Sequence, residues 1–332
     1  MGQLVDGVWH SEWIDASRTG GVFVRPDSAF RDQVSADGSS GFAAEAGRYH
    51  LYVSLACPWA HRTLILRALK GLEQVISVSV VHPLMHDQGW SFGALGDQLP
   101  QGSTPDHLHG SAHLWQIYVK ANPHYSGKVT VPVLWDKHSA RIVNNESPEI
   151  IRMLNSAFDA FTSVKDDFYP APLRPEIDAI NERVYHGVNN GVYRAGLAKS
   201  QDAYDEAFDV LFETLDWLEA RLATQRYLVG AQITEADWRL LASLLRFDLV
   251  YHGLFKCNQR TIASYPQLSN YLRELYQYPK VAETINVQHF VRGYYSIPGI
   301  NPTGIIPRGP QGYHEALAQP HDRGRFTATA RS

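Results

Sequence analysis

A cysteine-proline pair between a strand pattern and a helix pattern is the feature that most constrains this chain. Cys57-Pro58 lies in the segment Tyr-His-Leu-Tyr-Val-Ser-Leu-Ala-Cys-Pro-Trp-Ala-His-Arg-Thr, whose first half, Tyr49–Val53, has strand character. Proline suits the first position of a helix because its φ is already helical and no N–H donor is needed there. The sequence therefore predicts that Cys57 stands at a turn from a strand into a helix.

Such a turn suits a reactive thiol. The unpaired N–H groups and the positive dipole end of a helix N-terminus favour an anion, so we expect a lowered pKa and a thiolate at Cys57. The alternative is a buried cysteine that packs as a small hydrophobe. Ala60 stands where a dithiol motif would carry its second cysteine, so an external thiol must resolve any disulfide formed on Cys57. We interpret Cys57 as a nucleophile.

Composition argues against several classes of protein. The chain has 332 residues, of which 44% are hydrophobic and 19% charged, as in a globular protein large enough for two domains. A net charge of −4 without a basic stripe gives no support for nucleic-acid binding. No apolar run is long enough to cross a bilayer, and no signal peptide is expected. With only two cysteines, Cys57 and Cys257, a cytoplasmic location without disulfides fits best, and Cys257 is interpreted as structural or incidental.

The order of elements predicts an arm, an α/β domain, a helical domain and a tail. Residues 1–47 are expected to form an extended arm packed by its aromatics, which are Trp9, Trp13, Phe23, Phe30 and Phe42. Residues 48–160 begin with a β-α-β pattern and contain a long insertion at 83–127. The elements predicted there are strands at 49–53, 75–82, 129–135 and 141–143, and helices at 58–69, 112–121 and from about 147.

The helical domain is expected at 169–290, with its clearest helix at 203–222, and the tail at 291–332. Thr234 and Asp237 have the spacing of a capping box at the start of another helix. We interpret both residues as structural.

Pro132 interrupts the predicted strand at 129–135. A proline cannot donate to a sheet, so this end of the strand must lie at an edge or leave its backbone free. Together with the Cys-Pro turn, the β-α-β unit and Asn145-Glu146-Ser147 at a helix start, the Val131-Pro132 step resembles the glutathione-binding half of a glutathione transferase. The resemblance implies a thioredoxin-like domain followed by an all-helical domain, with Pro132 in the cis form.

The same resemblance implies a set of glutathione contacts. The backbone of Val131 would pair with the cysteinyl unit, Glu146 would take the γ-glutamyl ammonium, and Ser147 with the helix N-terminus would take the carboxylate. Trp90 would pack over glutathione, and Lys128 would meet its glycine carboxylate. Ser147 as an ordinary N-cap and Lys128 as a solvated surface residue are the structural alternatives.

Four motifs narrow the resemblance to the glutathionyl-hydroquinone reductases, the Xi class. They are Ser-Leu-Ala-Cys-Pro-Trp-Ala-His-Arg at 54–62, Gly-Trp at 89–90, Asn-Asn-Gly-Val-Tyr at 189–193 and Asn-Pro-Thr-Gly at 301–304. The match implies reduction of an S-glutathionyl-hydroquinone by a second glutathione, giving free hydroquinone and glutathione disulfide. Glutathione is then a co-substrate, no metal is needed, and a homodimer is expected.

The chemistry requires help at the leaving group. Direct attack of a thiolate on the sulfur of an aryl conjugate would expel an aryl carbanion, whereas ketonisation of the ring makes the leaving group an enolate that hydrogen-bond donors can stabilise. The resemblance nominates the neutral tyrosines Tyr193 and Tyr294 as these donors, with Tyr295 as the rival of Tyr294. The alternative is that they are packing residues.

Other functions remain open at this point. An omega-like thioltransferase or dehydroascorbate reductase would share Cys57 without requiring paired tyrosines, and a non-catalytic binding module would require neither. Histidines at 82, 86, 107, 109 and 113 raise the possibility of a metal, but no cysteine partners and no second set of acidic ligands accompany them.

Overall fold

The computed structural model describes residues 2–11, 19–93 and 99–328, and they form two compact units. The first unit contains the described residues within Met1–Ile14, Pro26–Asp166 and Thr284–Ile306. The second contains those within Asp15–Arg25, Asp167–Glu283 and Pro307–Ser332. Trp13, one of the aromatics expected in the arm, lies outside the described residues.

The strands are β1 (Gln3–Val5), β2 (Val8–His10), β3 (Tyr49–Val53), β4 (Ser77–Val80), β5 (Gly127–Lys128), β6 (Val133–Asp136) and β7 (Arg141–Asn144). The helices are α1 (Pro58–Leu69), α2 (Leu114–Ala121), α3 (Ser147–Ser156), α4 (Arg174–Val184), α5 (Gly191–Gly196), α6 (Gln201–Leu222), α7 (Glu235–Arg246), α8 (Pro266–Gln277), α9 (Val287–Tyr295), α10 (Tyr313–Leu317) and α11 (Arg325–Ala328). None of the helices in the described ranges is both long and apolar enough to cross a membrane.

A four-stranded sheet with the order β4-β3-β6-β7 organises the first unit. β3 runs parallel to β4, and β6 runs antiparallel to both of its neighbours. Every residue of β3 and β6 is buried, as expected for central strands that lack the polar alternation of a solvent-facing strand. With α1 following β3 and α3 following β7, this order confirms the predicted thioredoxin-like fold.

The predicted strand at 129–135 is too long at its N-terminal end. β6 begins only at Val133, which pairs with Tyr52. The physical reason is Pro132, which has no N–H to donate to the ladder. The residues before it therefore leave the strand, and their backbone is available for other partners.

One other strand and one helix are shorter than predicted. The strand expected at 75–82 is confined to Ser77–Val80, and the helix expected from 112 begins at Leu114. His113 is the N-cap of that helix and forms a capping box with Gln116, which fixes the start of α2.

The arm is not simply extended. β1 and β2 form a hairpin, and β1 also pairs with β5, so the arm builds a second sheet with the order β2-β1-β5. The turn of the hairpin consists of Asp6 and Gly7, both at positive φ (48° and 75°), which is the geometry of a tight two-residue hairpin turn. An Asp-Gly pair between short apolar runs was the sequence signal for this hairpin.

The second unit is helical, as the resemblance implied. All residues of α7 are buried, and Thr234 and Asp237 form the capping box at its start. The Asp237 carboxylate also accepts hydrogen bonds from the N–H of Leu228 at 2.9 Å and from the hydroxyl of Tyr271 at 2.7 Å. One buried carboxylate thus ties the start of α7 to α8 and to the preceding loop.

The C-terminal residues do not divide between the two units at residue 290, where the sequence predicts the end of the helical domain. Thr284–Ile306, which includes α9, packs in the first unit. His61 hydrogen-bonds Thr284 at 2.8 Å, and His289 hydrogen-bonds the carbonyl of Gln101 at 3.0 Å. From Pro307 onward the tail packs in the second unit, where the buried Arg323 guanidinium binds main-chain carbonyls. A helical pattern alone does not reveal which domain a helix packs against.

Candidate active site

Cys57 is the N-cap residue of α1, with φ −78° and ψ 123°, and Pro58 occupies the first turn. Its N–H donates to the carbonyl of Ser54 at 3.2 Å, which closes the turn between β3 and the helix. The side chain is partly exposed. The predicted strand-to-helix turn is therefore present, and the thiol can be reached by a substrate.

The carbonyl oxygen of Val131 lies 3.7 Å from the Cys57 sulfur, so the thiol donates a weak hydrogen bond to it. The Val131–Pro132 peptide bond is cis, as the resemblance implied. Among the described residues, none of the hydrogen bonds found uses the N–H of Val131. This backbone donor beside the thiol remains available for a ligand.

The start of α3 contains the residues expected to hold the γ-glutamyl group. The helix begins at Ser147, and its N-cap is Glu146, so the interpretation of Ser147 as an ordinary N-cap is wrong. The Ser147 hydroxyl is buried, with 2% of the residue exposed, and it has no hydrogen-bond partner in the described part of the chain. An unsatisfied buried hydroxyl costs about 1–3 kcal/mol, which favours a site that a ligand completes.

The N-terminal arm contributes to this segment. The Ser28 hydroxyl donates to the Glu146 carboxylate at 2.8 Å, and the N–H of Phe30 donates to the side-chain oxygen of Asn145 at 3.1 Å. Arg31 pairs with Glu149 one turn further along α3. Sequence reasoning missed these contacts because no local pattern links residues more than a hundred positions apart.

Trp90 and Lys128, the other expected glutathione contacts, lie in the same unit. Trp90 is partly exposed, and its carbonyl accepts the N–H of Leu114 at 2.9 Å, which fixes the Trp90 backbone to the start of α2. Lys128 is partly exposed on β5, where it pairs with Gln3.

Tyr294 lies on α9, in the first unit, with 6% of the residue exposed. Its neighbour Gly293 faces Ala56, the residue before Cys57. A Cβ atom at Gly293 would lie only 2.6 Å from the Cβ of Ala56. Glycine thus permits α9 to pack directly against the cysteine turn. Tyr295 is less buried than Tyr294, and burial raises the pKa of its phenol.

Tyr193 lies on α5, in the second unit, and is partly exposed. The guanidinium of Arg25 lies over its ring, 4.9 Å from the ring centre, and donates to the side-chain oxygen of Asn190 at 3.0 Å. A π-helical turn, Tyr185–Asn189, directly precedes α5. Within it, Asn189 donates to Ser243 on α7 at 2.8 Å, so part of the Asn-Asn-Gly-Val-Tyr motif is structural.

Cys257 is buried, whereas Cys57 is partly exposed. Burial raises the pKa of the Cys257 thiol far above the usual range. A thiol that stays protonated is a poor nucleophile, so Cys257 is structural, as predicted. Within the described ranges, no group of three or more histidine, cysteine, aspartate or glutamate residues is arranged to hold a metal ion.

Two family models match the chain. The Glutathione S-transferase N-terminal domain matches residues 56–157, and the Glutathione S-transferase C-terminal domain matches residues 201–274. The first range begins just before Cys57 and contains α1, β4, β6, β7 and α3, and the second contains α6, α7 and most of α8.

Two relatives are similar to this chain over nearly their full length. PcpF of Sphingobium chlorophenolicum, named glutathionyl-hydroquinone reductase, is 54% identical over 93% of this chain and 96% of its own length. YqjG of Escherichia coli strain K12 has the same name and is 54% identical over 97% of this chain and 98% of its own length.

Two solved structures superpose closely. The glutathione-bound structure of YqjG has a TM-score of 0.88 at 52% identity and covers 97% of this chain and 99% of that one. The Xi-class transferase of Natrialba magadii has a TM-score of 0.89 at 45% identity, with coverages of 98% and 97%. The chain therefore belongs to the glutathione transferase family and, within it, to the Xi class of the glutathionyl-hydroquinone reductases.

Proposed function

We propose that this protein reduces S-glutathionyl-hydroquinones to hydroquinones through a mixed disulfide between Cys57 and glutathione. The observation that carries the proposal is the setting of Cys57. Its thiol is partly exposed at the N-terminus of α1 and lies 3.7 Å from the Val131 carbonyl, before a cis proline. Family membership and the names of the two relatives at 54% identity support the substrate class.

The first half-reaction forms the mixed disulfide. The ring of the conjugate takes up a proton at the carbon that carries sulfur, and an adjacent hydroxyl loses its proton to become a carbonyl. The Cys57 thiolate then attacks the glutathionyl sulfur, the S–S bond forms and the C–S bond breaks. The electron pair of the C–S bond passes into the ring as an enolate, which takes a proton to give the hydroquinone. The ring is reduced, and the two sulfurs are oxidised to a disulfide.

Tyrosine donors would stabilise the enolate. A phenol with an ordinary pKa near ~10 stays neutral at neutral pH and donates a hydrogen bond without adding charge. We assign this role to Tyr193 and Tyr294 from the resemblance. The packing of Gly293 against Ala56 supports Tyr294, since it brings the backbone of α9 to the cysteine turn.

The second half-reaction returns the enzyme to its starting state. The thiolate of a second glutathione attacks the glutathione sulfur of the mixed disulfide, releases glutathione disulfide and restores the Cys57 thiolate. Ala60 supplies no resolving thiol, and Cys257 is buried, which supports resolution by an external thiol.

Glutathione would bind along the Val131 and Glu146-Ser147 segments. The unused N–H and the carbonyl of Val131 match the cysteinyl unit, as an added strand would. Glu146 would hold the γ-glutamyl ammonium. The Ser147 hydroxyl, which has no hydrogen-bond partner among the described residues, and the N-terminus of α3 would hold the carboxylate. By resemblance, Trp90 packs over the tripeptide and Lys128 meets its glycine carboxylate.

A substrate comparison tests the proposal. Purified protein is assayed with glutathione and either a glutathionyl-hydroquinone or a mixed disulfide between glutathione and a small thiol. We expect turnover of the hydroquinone conjugate, its loss in Cys57→Ser and its retention in the matched control Cys257→Ala. Turnover of the mixed disulfide alone would replace the proposal with an omega-like thioltransferase activity. No turnover of either substrate would favour a binding module.

We further propose that the protein is a homodimer in the cytoplasm. Two free thiols and no disulfide suit a reducing compartment. Light scattering of the purified protein would give the mass of a dimer if the first part of this proposal is right and that of a single chain if it is wrong.

A further inference from the structure

The hydroxyl of Tyr118 connects the two backbone segments proposed to hold glutathione. It donates a hydrogen bond to the carbonyl of Thr130 at 2.8 Å and accepts the N–H of the same residue at 3.2 Å. It also accepts a hydrogen bond from the side-chain amide of Asn145 at 3.2 Å. Thr130 immediately precedes Val131, and Asn145 immediately precedes Glu146.

The surroundings of Tyr118 hold the ring in place. The residue is fully buried, and its ring packs edge-on against Phe30 at 5.9 Å and tilted against Tyr125 at 5.2 Å. A ring enclosed in this way has few alternative rotamers, so the position of its hydroxyl is well defined. Burial also raises the pKa of the Tyr118 phenol, so the hydroxyl keeps the proton that it donates.

The segment around Thr130 needs such a partner. Because Pro132 ends the ladder at Val133, the Thr130 backbone receives no partner from the central sheet. Thr130 is half-buried, and the Tyr118 hydroxyl satisfies both its N–H and its carbonyl. The same atom then binds Asn145, whose amide is otherwise held by Phe30 and Thr130.

We propose that Tyr118 is a positioning residue for the glutathione site, which rests on the proposed function. It fixes the spacing between Val131 and Glu146, the residues that would contact the cysteinyl and γ-glutamyl units of one tripeptide. Tyr118 lies on α2, within the insertion at 83–127. The insertion therefore has a role in binding glutathione through a residue that does not touch it.

The test is a hydroxyl deletion that keeps the ring. Tyr118→Phe removes these three hydrogen bonds and a longer one with the Thr130 hydroxyl at 3.4 Å, and we expect the Kd for glutathione, measured by calorimetry, to rise about tenfold. In steady-state assays the KM for the glutathionyl-hydroquinone, whose glutathionyl unit would occupy this site, should rise similarly, while kcat at saturating conjugate changes less than about twofold. A positioning role predicts this split because the reacting sulfur is unchanged.

Tyr49→Phe is the matched control. Tyr49 is equally buried in the same unit, and its hydroxyl donates to the carbonyl of Ala43 at 2.7 Å, away from the Thr130 and Asn145 segments. We expect this variant to lower the Tm and to leave the Kd for glutathione unchanged. An unchanged Kd in Tyr118→Phe, or an equal rise in both variants, would overturn the proposal.

A second variant covers the case in which Tyr118→Phe does not fold. Asn145→Ala removes the bond to Tyr118 together with the side-chain bonds of Asn145 to Phe30 and Thr130. Because both bonds between Tyr118 and the Thr130 backbone remain, we expect a smaller rise of the Kd, about threefold. No rise there would contradict the proposal. Because calorimetry measures glutathione binding directly, the result does not depend on whether hydroquinone conjugates are the substrate.

Discussion

The Ser28 hydroxyl donates a hydrogen bond to a carboxylate oxygen of Glu146, with 2.8 Å between the two oxygens. It also lies 3.3 Å from the carbonyl of Asn145. The N-terminal arm is thus joined to the start of α3, where the γ-glutamyl group would bind. The hydrogen bond from the arm restrains the rotation of the carboxylate that we propose would meet the γ-glutamyl ammonium.

Removal of the Ser28 hydroxyl tests whether its hydrogen bond to Glu146 contributes to glutathione binding. We expect Ser28→Ala to raise the KM for the glutathionyl-hydroquinone about three- to tenfold, because a hydrogen bond to a charged group contributes about 1.5–3 kcal/mol and part of it is replaced by water. The measurement is steady-state kinetics with the conjugate as the varied substrate. Ser39→Ala, in an exposed turn of the same arm, is the control and should change nothing. Equal KM values for the two variants would show that the arm does not position Glu146.

Substitution of Tyr193 or Tyr294 should lower the turnover of glutathionyl-hydroquinones but not that of mixed disulfides. Removal of an enolate donor costs about 10²–10³-fold in kcat where a single donor acts, and less where two share the task. We expect Tyr193→Phe and Tyr294→Phe each to lower kcat on a glutathionyl-hydroquinone by about tenfold or more. Neither should change turnover of a glutathione mixed disulfide, which needs no enolate.

Tyr295→Phe is the control for this comparison because it deletes the neighbouring hydroxyl on the same helix. If Tyr295→Phe lowers kcat and Tyr294→Phe does not, then Tyr295 and not Tyr294 is the enolate donor on α9. Full activity of both Tyr193→Phe and Tyr294→Phe on the conjugate would contradict the proposed leaving-group stabilisation.

The pair Arg48–Asp136 should make stability depend on pH. The Arg48 guanidinium binds the buried Asp136 carboxylate through two hydrogen bonds of 2.7 and 2.8 Å. Burial acts to raise the pKa of Asp136, but hydrogen bonds from Arg48 and Ser139 outweigh it and hold the pKa below the usual value. A lowered pKa in the folded state stabilises the protein above the unfolded pKa of about 3.9, and this contribution is lost as the pH falls further.

Asp136→Asn is the variant that measures this contribution. We expect it to lower the free energy of unfolding by about 3 kcal/mol at pH 7, since one charge of a buried pair is then left alone. The loss should be smaller at pH 3, below the unfolded pKa, because there the unfolded chain takes up a proton that the folded carboxylate does not, and the contribution of the pair to stability declines. Urea titrations at the two pH values measure both differences. A loss that does not depend on pH would show that the pair is not the cause.

The sequence was sufficient wherever local chemistry determines the structure. Pro58 sets the start of α1, and the predicted range 58–69 agrees with the helix found. Tyr49–Val53 is likewise a strand over its predicted range, because its apolar side chains are buried on both faces. Cys57 at the turn between them follows from these two boundaries alone.

The parts that the sequence did not reveal depend on contacts between distant residues. The bond from Ser28 to Glu146, the Tyr118 network and the packing of Gly293 on Ala56 each join residues far apart in the chain. Gly293 in the last turn of a helix was a local signal, since glycine inside a helix costs about 1 kcal/mol and needs a packing reason. The strand predicted at 129–135 was too long at its N-terminal end. The apolar pattern extends through Pro132, but proline has no N–H to donate to the sheet, so the strand begins only at Val133.

Mass spectrometry of the intact protein, incubated with a glutathionyl-hydroquinone in the absence of free glutathione, tests the role of Cys57 most directly. We predict a glutathione adduct on Cys57, with release of an equal amount of hydroquinone, no adduct in Cys57→Ser, and loss of the adduct when glutathione is added. Release of hydroquinone without an adduct on Cys57, or an adduct that persists in Cys57→Ser, would contradict the mechanism.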